Sequence, residues 1–205
     1  MKLNEIQVII FDLGNVVIEI DFSRVISEWQ KFSGKNKIDV SKNSILGSVN
    51  EKYERGELST SQFIESLKKE LNLDITDEQL LEGWNKIFVG EILGIRDVID
   101  RVVSKYPLYI FSNTSISHAE VWSIEYSELL KHFQKIFTSF ELGMRKPEKE
   151  SFLEVSTKIG VIPEKILFFD DTEENIIAAN ELGMKAVKVN GIQDIDNTID
   201  RLFMK

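Results

Sequence analysis

Residues 8–16 of this 205-residue chain read Val-Ile-Ile-Phe-Asp-Leu-Gly-Asn-Val. The four apolar residues at the start are typical of a strand that is buried on both faces of a parallel sheet. Asp12 follows where the strand ends, just before Gly14. Ligands of open α/β sheets bind beyond the carboxyl ends of the strands. The stretch alone leaves two interpretations open, an acid of a ligand site or a carboxylate that caps a turn.

The composition limits the partners and the chemistry. A formal net charge of −9 argues against nucleic acid or an anionic membrane as the main partner. The absence of cysteine excludes disulfides, zinc thiolate sites and cysteine nucleophiles. A metal would be bound by oxygen or by one of two histidines, which favours magnesium, calcium or manganese. Asp12 and Glu19 interrupt the apolar N-terminal run, so we expect no membrane span and a cytoplasmic protein.

Further apolar runs predict strands at 108–112, 136–139, 166–169 and 186–189, with helices at 95–105, 115–130 and 147–159 and after Thr172. This alternation predicts an α/β fold, a doubly wound parallel sheet with a Rossmann-like core. A parallel crossover needs only about a dozen residues, yet residues 13–107 separate the first two strands. The additional residues of this connection include apolar residues at helical spacing in 22–33, 42–54, 59–71 and 80–88.

These patterns predict two units in the chain. Residues 1–15 and 91–205 would form the core domain, and residues 16–90 would form an inserted helical-bundle cap. Trp29 and Trp84 are assigned to the interior of that bundle. His118 and His132 have no pattern of partners around them and are interpreted as ordinary surface or helix-face residues.

Four polar features are predicted at the carboxyl ends of the strands: Asp12, Ser112-Asn113-Thr114, Lys146 and Asp170-Asp171. Three converging carboxylates repel and raise one another's pKa, which a hard divalent cation relieves with oxygen ligands. A hydroxyl, an amide and an ammonium opposite a metal suit a phosphoryl group. Asp12 would then be a nucleophile that forms an acyl phosphate. Each feature also has a structural interpretation, as a turn serine, a solvated lysine or a pair of helix-capping acids.

The order of these motifs resembles that of the haloacid dehalogenase-like hydrolase superfamily. The matching stretches are Phe11-Asp12-Leu13-Gly14-Asn15-Val16, Ile110-Phe111-Ser112-Asn113-Thr114, Gly143-Met144-Arg145-Lys146-Pro147-Glu148, and Phe168-Phe169-Asp170-Asp171 with Asn175. The chain is also similar to the bacterial α-D-glucose-1-phosphate phosphatase group. It shares the Asp-Leu-Gly-Asn-Val opening, the Glu-Arg-Gly-Glu stretch at 54–57 and the Leu-Gly-Met-Arg-Lys-Pro-Glu run at 142–148.

The resemblance implies a role for each matching residue. Asp12 would be the nucleophile and a Mg²⁺ ligand, and the main-chain carbonyl of Gly14 a second ligand. Asp171 corresponds to the metal-binding acid of the family, with Asp170 beside it. The remaining implied roles are phosphoryl binding by Ser112 and the Asn113 backbone, charge neutralisation by Lys146, and a position at Asn175 where many members carry a further Asp.

Arg55 lies in the Glu54–Glu57 stretch of the predicted cap and would bind the substrate. The alternative is a charged helix end that Gly56 terminates.

The chain departs from the family pattern at Gly14, where most phosphatases of the superfamily carry a second Asp that acts as general acid and base. Such catalysis is worth about 10²–10⁴ in rate. A leaving group that needs little protonation, such as the anomeric oxygen of a sugar 1-phosphate, would reduce the need for it. Alternatively, Asp21, Glu19 or Glu54 would take the role.

These residues together predict a Mg²⁺-dependent phosphatase that acts on a small phosphorylated metabolite, with a sugar phosphate such as glucose 1-phosphate as the first candidate. The alternative is a non-catalytic or regulatory phosphate-binding protein, because Gly14 replaces the acid. A dehalogenase ranks behind both, since the Asp170-Asp171 pair argues for a metal that dehalogenases do not use. We expect a monomer or a homodimer.

Overall fold

Five parallel strands form the central sheet of the computed structural model, which describes residues 5–35, 38 and 47–204. Their order across the sheet is β5-β4-β1-β6-β7, and every neighbouring pair is parallel. The strands span Val8–Phe11 (β1), Leu108–Ser112 (β4), Lys135–Thr138 (β5), Ile166–Asp170 (β6) and Lys185–Lys188 (β7). The central position of β1 confirms the buried strand predicted at the start of the chain.

Helices cover both faces of this sheet, because successive side chains of a strand point to opposite sides. Ile9 and Phe11 of β1 belong to one apolar cluster, while Val8 and Ile10 belong to another. The helices are Ile95–Val102 (α5), Ile116–Glu125 (α6), Ser127–Leu130 (α7), Ser139–Leu142 (α8), Lys149–Ile159 (α9), Glu173–Glu181 (α10) and Ile192–Phe203 (α11). The doubly wound α/β prediction is confirmed. Helix α9 begins at Lys149, two residues later than predicted, because Glu148 has an extended backbone.

Between β2 and β3, the described residues form four helices that enclose an apolar cluster of their own: Phe22–Ser33 (α1), Ser48–Glu54 (α2), Thr60–Leu71 (α3) and Asp77–Asn85 (α4). Ser59 and Thr76 begin α3 and α4 with capping boxes, which satisfy backbone donors that a helix start leaves free. Trp29 and Trp84 are buried and stack with ring centroids 6.4 Å apart. Their assignment to the bundle interior is confirmed, while residues 42–46 of the predicted second helix lie outside the described residues.

A two-stranded antiparallel ribbon, Ile18–Ile20 (β2) with Phe88–Glu91 (β3), connects the sheet to these helices. The apolar pattern predicts no strand in this region and continues a helix to residue 88, whereas α4 ends at Asn85 and Phe88 begins β3. Each strand is too short for its own periodicity to reveal it, and the pairing joins segments that are far apart in the chain. The ribbon lies at both predicted domain boundaries, which remain predictions. No helix within the described ranges is long and apolar enough to cross a membrane.

Candidate active site

The sheet brings three of the predicted motifs to one edge. Asp12 follows β1, Ser112 ends β4 and Asp170 ends β6. Because β1 is paired in parallel with β4 on one side and β6 on the other, the carboxyl ends of these strands are adjacent. The predicted convergence of these side chains is therefore present in the structure.

Lys146 is the cation of this cluster and is 1% exposed. Its Nζ lies 2.8 Å from Oδ1 of Asp12 and donates to Oδ2 of Asp170 at 2.6 Å and to the carbonyl of Phe111 at 2.9 Å. Burial by itself would lower the pKa of Lys146, but Asp12 and Asp170 outweigh it and hold that pKa above its usual value. The side chain therefore stays charged, with three partners for its three donors.

Asp12 combines burial with an incompletely used carboxylate. Its Oδ1 accepts from the Leu13 amide at 2.7 Å and also faces Lys146. Within the described residues, no hydrogen-bond partner is present for Oδ2. Burial raises the pKa of Asp12 to about 7, Lys146 opposes the shift, and the charges of Asp170 and Asp171 add to it. An oxygen without a partner at the sheet edge is available for a metal or for attack on an electrophile.

Asp170 and Asp171 differ in how far their oxygens are engaged. Asp170 is fully buried and accepts from the Thr172 amide at 2.8 Å, from Asn175 Nδ2 at 2.9 Å and from Lys146. Asp171 is partly exposed and accepts from Asn15 Nδ2 at 3.2 Å and from the Thr172 hydroxyl at 3.3 Å. Asp171 therefore has more capacity left for an additional ligand.

The three carboxylates are arranged as a hard cation requires. One oxygen each from Asp12, Asp170 and Asp171 lies within 4.8 Å of the others. Carboxylate oxygens without nitrogen or sulfur donors are the ligand set that Mg²⁺ prefers. Burial is the main cause of the raised pKa of Asp12, and a dication would relieve the repulsion from Asp170 and Asp171 that adds to it. The residues present therefore fit a magnesium ion.

The Ser112-Asn113-Thr114 turn is fixed by its neighbours. Asn113 Nδ2 donates to the Lys146 carbonyl at 2.9 Å, and the Lys146 amide donates to Asn113 Oδ1 at 2.9 Å. The Thr114 amide donates to Ser139 Oγ at 3.0 Å. Ser112 is buried, and among the described residues the one contact of its hydroxyl is with the Asn113 carbonyl at 3.4 Å. The Asn113 side chain is hydrogen-bonded to Lys146, so the phosphoryl binding predicted for this turn would use the Ser112 hydroxyl and the backbone.

Ile20 of β2 faces the space where Gly14 lacks a side chain. A Cβ on Gly14 would lie 3.0 Å from Cδ1 of Ile20. Asn15 follows with a φ of 56° and accepts from the Ile20 amide at 3.2 Å. The sequence analysis did not select Asn15, although Gly-Asn after a strand is a turn signal and asparagine tolerates the left-handed region.

The proposed substitutes for the missing acid differ in their surroundings. Asp21 caps α1 by accepting from the Ser23 amide at 2.8 Å, and its hydrogen bonds with Ser23 hold its pKa below the usual value. Glu19 is exposed on β2. Burial raises the pKa of Glu54, although its partner Arg145 opposes the shift. A raised pKa favours the protonated form that a general acid needs, although the Glu54 carboxylate is paired with Arg145 in this structure.

Arg55, which follows α2, contacts Glu148, the residue before α9. Its Nε donates to Oε1 of Glu148 at 3.1 Å, and its Nη2 pairs with the same oxygen. Arg145 in turn donates from Nε to Glu54 Oε2 at 2.9 Å. Substrate binding by Arg55 therefore stays a prediction, with Glu148 as the partner that the guanidinium contacts in this structure.

His118 is a buried residue of α6, so of the two interpretations, a surface or a helix-face residue, the surface one is wrong. Its Nε2 lies 3.2 Å from the Trp84 carbonyl, and its ring stacks on the Trp84 indole at 4.7 Å. A carbonyl can only accept, so Nε2 carries the proton. Burial lowers the pKa of His118 to about 4. It lines a cavity of about 50 Å³ together with Gly14, Ile20 and Ser112.

The comparison with known protein families agrees with this geometry. The family model of the haloacid dehalogenase-like hydrolases matches residues 6–183. The chain therefore belongs to the haloacid dehalogenase-like hydrolase family, and the resemblance inferred from the four motifs is confirmed.

Individual relatives are similar to this chain over most of its length. It is 28% identical over 185 residues to D-ribitol-5-phosphate phosphatase of Bacteroides thetaiotaomicron, covering 86% of this chain and 88% of that protein. A crystal structure of a HAD family enzyme from the same organism has a TM-score of 0.82 and 25% identity, covering 95% of this chain and 98% of the other. The complex of that enzyme with magnesium and inorganic phosphate has a TM-score of 0.77 and 26% identity, covering 91% and 95%.

Proposed function

We propose that this protein is a Mg²⁺-dependent phosphatase that hydrolyses a small phosphorylated sugar or polyol through an aspartyl-phosphate intermediate. The observation that carries the proposal is Oδ2 of Asp12, an oxygen without a described partner beside Lys146 and two further carboxylates. The named relative that acts on D-ribitol 5-phosphate and the neighbour bound to magnesium and phosphate support it.

In this mechanism, Oδ2 of Asp12 attacks the phosphorus atom and the bond from phosphorus to the leaving oxygen breaks, with its electron pair leaving on that oxygen. Lys146 balances negative charge beside Asp12, and the Ser112 hydroxyl with the Asn113 amide orients the phosphoryl oxygens. Water then attacks the acyl phosphate, which releases inorganic phosphate and restores the carboxylate of Asp12. Bound Mg²⁺, held by Asp12, Asp171 and the Gly14 carbonyl with Asp170 beside it, would supply electrostatic stabilisation of the transferring phosphoryl group.

Residue 14 provides no carboxyl group for protonation of the leaving oxygen, because this position is occupied by Gly14 and not by the second Asp of most family phosphatases. We therefore expect substrates whose leaving oxygen has low basicity, such as the anomeric oxygen of glucose 1-phosphate. An alkyl ester such as ribitol 5-phosphate would need a proton from elsewhere, because its leaving oxygen is more basic. The substrate panel should therefore contain both types of ester.

The test measures phosphate release from α-D-glucose 1-phosphate, D-ribitol 5-phosphate and acetyl phosphate, with Mg²⁺ and with EDTA. Release that requires Mg²⁺ and is lost in Asp12→Asn supports the proposal. The matched control is Asp100→Asn, an exposed acid of α5, which should retain wild-type turnover. Calorimetric binding of inorganic phosphate in Mg²⁺ without turnover of any substrate would instead favour the non-catalytic phosphate-binding alternative.

A further inference from the structure

Two crossed ion pairs join the cap to the loop that carries Lys146. Arg145 and Glu148 flank the Lys146-Pro147 dipeptide in the sequence. From the cap, Arg55 pairs with Glu148, and Glu54 pairs with Arg145. In these two pairs each unit contributes one cation and one anion. Glu51 of α2 adds a second carboxylate on the cap side, 3.7 Å from Arg55 and 3.5 Å from Arg145.

These ion pairs are shielded from water. The side chains of Glu54 and Arg145 are 14% and 21% exposed, and those of Arg55 and Glu148 are 24% and 34% exposed. Pairs at this depth are screened less by salt than pairs on an open surface. Both arginines bind carboxylates through more than one nitrogen, and this geometry restrains direction as well as distance.

The backbone next to Arg55 approaches the core closely. Gly56 has a φ of +70°, and a Cβ at this position would lie 2.7 Å from the Phe140 carbonyl oxygen of α8. Only glycine combines that conformation with that approach at low cost. The end of α2 is therefore held against α8, in the segment that leads into residues 143–148.

The loop that carries Lys146 also contacts Asn113, Asp12 and Asp170. The Lys146 backbone exchanges two hydrogen bonds with the Asn113 side chain, and its ammonium reaches Asp12 and Asp170. A displacement of Arg145 or Glu148 would be transmitted directly to Lys146, because they lie one and two residues from it.

We propose that Glu54 and Arg55 are positioning residues, which hold the loop of Lys146 in place through Arg145 and Glu148 when the cap lies against the core. This assigns Arg55 to the protein's own Glu148 instead of the substrate. The kinetic consequences rest on the proposed phosphatase activity, whereas the structural consequence does not.

Charge reversal tests this proposal. The variants are Arg55→Glu, Glu148→Arg and the double exchange, which rebuilds the pair with opposite polarity. Arg55→Gln provides a milder loss of the pair in case a reversal does not fold. The matched control is Arg101→Glu, which breaks an ion pair with Asp196 and Asp200 on the far helices α5 and α11. Thermal unfolding establishes that each variant is folded.

The first readout is amide hydrogen exchange in residues 143–150, which needs no turnover. Both single reversals should accelerate exchange there by tenfold or more, and the double exchange should restore protection. In the second readout, the single reversals and Arg55→Gln should lower kcat about tenfold with KM changed less than threefold, and the double exchange should recover kcat. The Arg101→Glu control should change neither the amide exchange of residues 143–150 nor kcat and KM.

Two outcomes would overturn the proposal. Unchanged exchange in the single reversals would mean that the cap does not hold the loop. A rise in KM in every Arg55 variant without rescue by the double exchange would assign Arg55 to the substrate. If the wild type shows no turnover at all, the exchange data still decide the positioning role, so the two proposals fail independently.

Discussion

Nζ of Lys146 lies 2.8 Å from Oδ1 of Asp12, and both groups are shielded from solvent. The same ammonium lies 2.6 Å from Asp170. When all three clustered carboxylates are ionised, the single cation of Lys146 leaves a remainder of −2. A divalent cation would neutralise this remainder, so Lys146 and the proposed metal share the neutralisation of one acidic cluster.

Removal of Lys146 should destabilise the fold. Lys146→Met leaves Asp12 and Asp170 buried without a cation, and we expect a loss of about 3–5 kcal/mol in the free energy of unfolding. Lys146→Met with Asp170→Asn should lose less than the sum of the two single changes, because it removes one buried charge together with its partner. Urea denaturation measures both. Lys131→Met, which breaks an exposed pair with Glu128, is the control, and additive losses would contradict the coupling.

The space near Gly14 leads to a prediction about the missing acid. Gly14→Asp would bring its Cβ against Cδ1 of Ile20, and Ile20→Val removes that methyl group. We expect Gly14→Asp alone to lose turnover. The double variant should have a higher turnover than Gly14→Asp alone. It should also hydrolyse D-ribitol 5-phosphate about 10²-fold faster than wild type, as added general acid catalysis allows. Steady-state kinetics with acetyl phosphate, whose leaving group needs no proton, is the control. Equal gains on both substrates would refute the acid role.

His118 should make stability depend on pH. Its pKa falls from 6.5 to about 4 on folding because the ring is buried, so the unfolded chain takes up its proton first. The stabilisation is fully present above pH 6.5 and is lost as the pH falls towards 4. Between pH 7 and 4.5 this amounts to about 2–3 kcal/mol. His118→Phe should lack this part of the pH dependence in urea denaturation, while His132→Phe should retain it. Equal slopes for wild type and His118→Phe would exclude the assignment.

Asn15 allows a separation of backbone conformation from hydrogen bonding. It has a φ of 56° and donates to Asp171. Asn15→Gly keeps the conformation and loses the side chain, whereas Asn15→Ala loses both. We expect Asn15→Ala to be less stable than Asn15→Gly by about 1 kcal/mol. Both should bind Mg²⁺ more weakly than wild type, since Asp171 loses a partner that orients it. Calorimetry with Mg²⁺ and thermal unfolding measure the two effects, and equal stability of the variants would count against backbone strain.

The sequence predicted the sheet because each strand carries its own signal. Residues 8–11 and 166–169 are apolar runs, and all of them are buried. The strands β2 and β3 were not predicted, because the pairing of Ile18 with Glu91 joins segments that are far apart in the chain and produces no local sequence pattern. The burial of His118 was missed for the same reason, since Trp84 covers it from a helix of the cap.

The sequence by itself determined which groups meet at the sheet edge. Asp12, Ser112 and Asp170 each stand at the end of a buried parallel strand, and parallel strands place these ends side by side. Only the tertiary structure decided how the acids are used. Asp170 is saturated by Lys146 and Asn175 while Asp12 keeps an oxygen without a described partner, because hydrogen-bond saturation depends on the packing of neighbouring loops. It also decided that Arg55 contacts Glu148, 93 residues away, since ion pairs between segments that are distant in the sequence leave no periodic signal in the chain.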